Sequence, residues 1–143
     1  MPYTVEKLLA MTDAELAALF SAAEAGPVPN GEGHGTAIVA PGTPFTPEIA
    51  KFISFFAWQG KIFDADKMAL LNKITVFGLD AILAHIARGP SWVDGKECIV
   101  LDYSKTSVVA HWVRDEIRLL EPGFYLGRVF WNKEPLIYFT LKF

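Results

Sequence analysis

The sequence predicts a mainly β, α+β protein: a single antiparallel β-barrel of seven or eight strands, with N-terminal helices packed at one end. Three observations carry this reading. Apolar residues fall at three- and four-residue spacing early in the chain and change to two-residue alternation after Gly60. Turn residues interrupt that alternation at regular intervals as far as the C-terminus. Short connections make successive strands antiparallel neighbours, and so many strands in 143 residues leave apolar edges exposed unless the sheet closes.

Val5, Leu8 and Leu9, then Leu16, Leu19 and Phe20, mark two short helices. Thr12 with Glu15 is a capping box that restarts the second, and Gly26-Pro27 ends it. The segment from Gly26 to Gly35 reads as a turn-rich loop crossing the surface, leading into a brief β segment from Thr36 to Ala40. Thr46-Pro47-Glu48 starts a further helix, whose stripe of Ile49, Phe52, Ile53 and Phe56 is widened by Phe55 and Trp58.

Strands follow at Lys61 to Asp64, Leu70 to Val76, Ala81 to Arg88, Glu97 to Tyr103, Val108 to Leu120, Phe124 to Trp131 and Leu136 to Phe143. Asp94-Gly95 is the strongest hairpin signal, because both residues tolerate the positive φ of a tight turn. The whole is expected to be one domain over 1–143, with 1–60 a helical region and loop and 61–143 the barrel.

Composition narrows the function. With 52% hydrophobic, 13% aromatic and 20% charged residues, the chain carries more apolar side chain than a minimal core needs, which suggests a ligand cavity, a homodimer interface, or both. Scattered Lys and Arg and a net charge of −3 speak against nucleic acid. No apolar run has membrane-spanning length, and Glu6 stands where a signal peptide is basic, so a soluble cytoplasmic protein is expected. The lone Cys98 lies in an apolar strand and reads as core.

Five short segments stand out: Trp58-Gln59-Gly60-Lys61, Leu101-Asp102-Tyr103-Ser104-Lys105-Thr106, Ala110-His111-Trp112-Val113-Arg114, Tyr125-Leu126-Gly127 and Tyr138-Phe139-Thr140-Leu141-Lys142. In these segments the chain resembles the bacterial GXWXG/DUF4334 proteins, which look like small calycin barrels of lipocalin or nitrobindin type. The likeness covers about positions 56 to 143. Phe56 stands where the name motif has its first glycine, Asp102-Tyr103 is in reversed order, and the helical N-terminal region has no counterpart. The resemblance implies a barrel whose mouth or interior accepts an apolar ligand, without a settled activity. It also raises a haem alternative, with His85 or His111 as axial ligand.

Candidate site residues follow from chemistry. His34, His85 and His111 are not at metal-ligand spacing with another His or Cys, so neither a metal nor an obligatory cofactor is expected. His34 could act as a lid residue over a barrel mouth. Tyr103 and Asp102 at a strand end, with His111 and Arg114, could protonate and deprotonate a substrate carbon; the plainer reading of Asp102 and Ser104 is a turn cap. Arg114-Asp115-Glu116-x-Arg118 alternates along one strand, and if Arg114 and Arg118 point inward they suit a carboxylate or phenolate. Trp58, Trp92, Trp112 and Trp131, with Tyr125 and Tyr138, could supply flat walls.

Three functional readings result. They are a binding barrel for a small, mostly apolar molecule, a cofactor-independent isomerase, cyclase or lyase acting on such a molecule, and a partner-binding protein that docks through its aromatic helix.

Overall fold

The computed structural model describes residues 3–39, 47, 61–73, 81–104 and 113–143. Two helices, α1 (Val5–Leu9) and α2 (Asp13–Ala22), precede eight strands. These are β1 (Gly31–Ile38), β2 (Lys61–Asp64), β3 (Ala69–Lys73), β4 (Ala81–Pro90), β5 (Glu97–Asp102), β6 (Val113–Glu121), β7 (Phe124–Trp131) and β8 (Glu134–Lys142). Each strand pairs antiparallel with the next, and β1 pairs with β8, so the sheet closes in up-and-down order. Among the described residues no helix is long and apolar enough to cross a membrane.

The helices start where their caps dictate. Thr4 Oγ1 accepts from the Lys7 N–H, and Thr12 and Glu15 complete the reciprocal capping box. The end of α2 is satisfied by cations from the barrel: Arg118 Nη1 donates to the Phe20 carbonyl, and Lys96 Nζ to those of Ser21 and Ala23. The helices cover the side wall of the barrel, which corrects the expectation that they cap one end. Leu8, Leu16 and Phe20 pack with Ile38, Phe124, Leu126 and Tyr138 on the outward faces of β1, β7 and β8.

The Gly-rich segment is a strand, not a surface loop. From Gly31 it pairs with β2, and from His34 with β8, so the barrel begins thirty residues earlier than alternation alone places it. Glycine hides the strand from a propensity reading, yet it is what the wall needs here. A Cβ on Gly33 would stand 2.7 Å from the Phe143 ring, which fills that space from inside.

Strand bounds over Lys61–Asp64 and Phe124–Trp131 agree with the sequence reading. The strand expected from Val108 is described only from Val113, and of the aromatic helix expected from Thr46 only Pro47 is described, in helical conformation; the rest lies outside the described residues. The β4–β5 connection is longer than a two-residue turn: Ser91 and Lys96 still pair through backbone, and Gly95 alone has positive φ, at 74°.

Inward residues form the main core, among them Phe63, Ile86, Ile99, Leu101, Ile117 and Phe139. One end of the barrel is sealed. There the Tyr125 hydroxyl donates to the Pro27 carbonyl at 2.7 Å, and Phe143 meets Phe63 and Tyr125 edge to face. Tight turns join β2 to β3 and β6 to β7 at this end. At the opposite end β1, β3 and β5 finish, β2, β4 and β6 begin, and a two-residue turn joins β7 to β8.

Candidate functional site

Strand alternation divides the charged run of β6 between two environments. Asp115 faces inward with Val113 and Ile117, while Arg114, Glu116 and Arg118 face outward. The register sets Asp115 opposite Leu101 on β5 and Val129 on β7, both core residues. Asp115 and Tyr103 are each 0% exposed, and the Tyr103 hydroxyl donates to Asp115 Oδ2 at 3.5 Å. Around them lie Val113 and Ile137, with Trp131 and Leu136 partly buried beside the same cluster. A carboxyl and a phenol thus face each other among inward apolar side chains, toward the end of the barrel away from Tyr125 and Phe143.

The outward charges hold the β4–β5 connection against the wall. Glu116, fully buried, accepts from the Ser91 hydroxyl at 2.6 Å, the Trp92 N–H at 2.9 Å and Arg114 at 3.0 and 3.1 Å. Arg118 is also fully buried, and all its donors are used. Nη1 reaches Asp94 and the Phe20 carbonyl, Nη2 reaches Asp94 and the Lys96 carbonyl, and Nε reaches the Glu97 carbonyl. The Arg118 hydrogen bonds hold the Asp94 carboxyl at about 2, below its ordinary 3.8, against the opposing pull of burial. For Arg118 burial is the largest single effect and works against the charge, but the Asp94 hydrogen bond together with the nearby charges of Asp94 and Glu116 outweighs it, so its pKa rises.

The other expected site residues are dispersed. Arg114 and Arg118 point outward, so neither supplies a cation to the interior; both are committed to loop and helix. Asp102 faces outward and its Oδ1 accepts from the Ser104 N–H at 2.8 Å, the turn-cap geometry. His85 is exposed on the outer wall opposite Asp102, which removes it as an axial ligand for an interior haem. His34 is exposed on β1 opposite Lys142, on the wall and not over a mouth. Tyr125 faces inward but at the sealed end. Tyr138 lies outward beneath the helices, and burial pushes its phenol up, as it does for Tyr125. Trp58, His111 and Trp112 lie outside the described residues. Of the four residues grouped as a catalytic set, Tyr103 alone is described at the interior pair.

Asp115 is the site residue that the sequence reading did not select. Its signal was present: on the odd face of the strand it is the one carboxylate among Val113 and Ile117. What was missing was knowledge of which face is inside.

No family model matches the chain, and no curated protein does. A solved structure similar to it is a crystal structure of a protein from Thermomonospora curvata. The two share 16% identity with a TM-score of 0.63, over 93% of this chain and 88% of that one. At this identity the likeness shows the fold alone, and the resemblance to GXWXG/DUF4334 proteins gains no support from it.

Proposed function

We propose that the barrel interior binds a small, mostly apolar molecule, with Asp115 and Tyr103 as its polar anchor. The observation that carries this reading is the fully buried carboxyl facing a fully buried phenol among apolar side chains. A few convergent polar groups in an apolar surround are the usual form of a ligand site. The ligand class follows from charge. With the guanidinium groups of Arg114 and Arg118 turned outward, the Asp115–Tyr103 pair offers, among the described residues, an acceptor and a phenol. It therefore suits a molecule with a hydroxyl, amine or amide N–H better than the carboxylate- or phenol-bearing one expected from inward arginines.

The test is titration with N-phenyl-1-naphthylamine, a neutral aromatic amine that fluoresces in apolar surroundings. Wild type should bind it saturably at one site, and Asp115→Asn should weaken binding about tenfold, the worth of roughly one charge-assisted hydrogen bond. Absence of saturable binding, or equal affinity in Asp115→Asn, contradicts the proposal.

A second reading rests on the same 3.5 Å contact. A carboxylate and a phenol facing one ligand are the acid–base pair that a cofactor-independent isomerase, cyclase or lyase requires. Exchange of a ligand C–H for deuterium, followed by NMR in heavy water, separates the two. Exchange that disappears in Asp115→Asn and Tyr103→Phe indicates turnover, and none indicates binding alone.

A further inference from the structure

We propose a second site on the outer wall, independent of the interior: a groove beside Trp92 that takes a flat, apolar carboxylate. The groove, of about 500 Å³, is lined by Trp92, Val93, Arg128, Phe130, Lys133 and Pro135. That volume falls in the range of small-molecule sites. Trp92 is 49% exposed and Val93 40%, although the large apolar side chains among the described residues are otherwise mostly buried.

The exposed indole is held rigidly. Its backbone N–H donates to buried Glu116, its ring meets Phe130 edge to face with centroids 5.2 Å apart, and the Arg114 guanidinium lies 4.2 Å from its centroid. A ring fixed in advance loses little side-chain freedom when a flat ligand packs on it. Lys133 is placed just as firmly. With Asn132 at φ 50° and Lys133 at φ 70°, the two residues form the primed turn joining β7 to β8.

Charge selects the ligand. Among the described residues neither Arg128 nor Lys133 pairs with a carboxylate, whereas Arg114 is committed to Glu116 and the Pro90 carbonyl. Glu134, next in sequence to Lys133, does not line the groove and makes no ion pair with it. Arg128 stacks over the Tyr138 ring at 4.8 Å, which fixes its position and leaves its charge uncompensated. Two uncompensated cations beside an aromatic floor, on a protein of net charge −3, match an anion with a flat apolar body. A bare inorganic anion would leave the floor uncovered, and a neutral aromatic would leave the cations unpaired.

The experiment uses 2-naphthoate and its neutral counterpart 2-naphthalenemethanol, followed by NMR of the Trp92 indole N–H and the Lys133 amide. Naphthoate should shift both signals saturably, bind about tenfold more tightly than the alcohol, and weaken with added salt. Lys133→Glu, a change on an exposed turn, should weaken naphthoate at least tenfold with signals elsewhere unmoved. Asp115→Asn should leave it unchanged, so failure here and failure of the interior site are told apart. No shift up to about 10 mM, equal affinity for the alcohol, or binding that survives Lys133→Glu overturns the proposal.

Discussion

Gly127 on β7 and Phe139 on β8 are register partners, and the Phe139 ring lies where a Cβ on Gly127 would stand. The missing side chain on one strand makes room for a large one on the next, in a row of register partners that runs from Ile117 through the pair to Ala37. Gly127→Ala should therefore destabilise by about 2 kcal/mol through overpacking, and Phe139→Leu in the same chain should restore part of it. Phe139→Ala alone should cost about 3 kcal/mol or more. Denaturant unfolding measures all three; a loss below about 1 kcal/mol for Phe139→Ala would mean that the ring is not core.

Asp94 and Arg118 make acid stability measurable at one site. Their two contacts are 2.8 Å each, and the Asp94 carboxyl is held at about 2 against an ordinary 3.8. A depressed carboxyl contributes stability above its ordinary value and loses it as pH falls from about 4 through about 2. Allowing for solvent screening of the partly exposed carboxylate, wild type should lose about 1 kcal/mol more than Asp94→Asn between pH 5 and pH 2. Parallel pH profiles for the two proteins would show that the pair contributes nothing to acid stability.

Arg114 belongs to the outer clamp. Its contacts with buried Glu116, the Pro90 carbonyl and the Trp92 ring predict that Arg114→Ala lowers stability by about 1 to 3 kcal/mol. Interior binding of a neutral ligand should be unaffected. Lost interior binding with stability unchanged would return Arg114 to the ligand.

Cys98 faces outward on β5, fully buried, and burial pushes its thiol up to about 12. With so little thiolate, the native protein should react with a disulfide reagent at neutral pH only as fast as it opens, and added urea should accelerate labelling steeply. Rapid labelling without denaturant would show an accessible thiol.

Much of the fold was legible because barrel strands write their alternation directly into the sequence. Ile137, Phe139 and Leu141 shared a face on paper and share the core in space. The capping box at Thr12 and Glu15 was equally direct, since it is a local motif that needs no tertiary context. The β segment expected from Thr36 forms the end of β1, but its first half was hidden because Gly31, Gly33 and Gly35 have no strand propensity; Phe143 fills the space over Gly33, and Gly31 takes a φ of 94°. The site was less legible. Alternation separated Asp115 from Arg114, Glu116 and Arg118, but both faces of β6 are buried, one by the barrel and one by α2 and the β4–β5 connection. Burial of charge on both faces removes the usual cue that the charged side meets water. Helix placement was misjudged for the same reason, since the outward apolar residues Phe124, Leu126 and Tyr138 reveal the covered wall only once the inward set is known.

Native mass spectrometry of freshly purified protein tests the interior site most directly. The account predicts a fraction of wild type carrying a bound molecule of a few hundred daltons, released on denaturation and strongly reduced in Asp115→Asn. A bare chain mass for both proteins, with no adduct under the gentlest conditions, would contradict it.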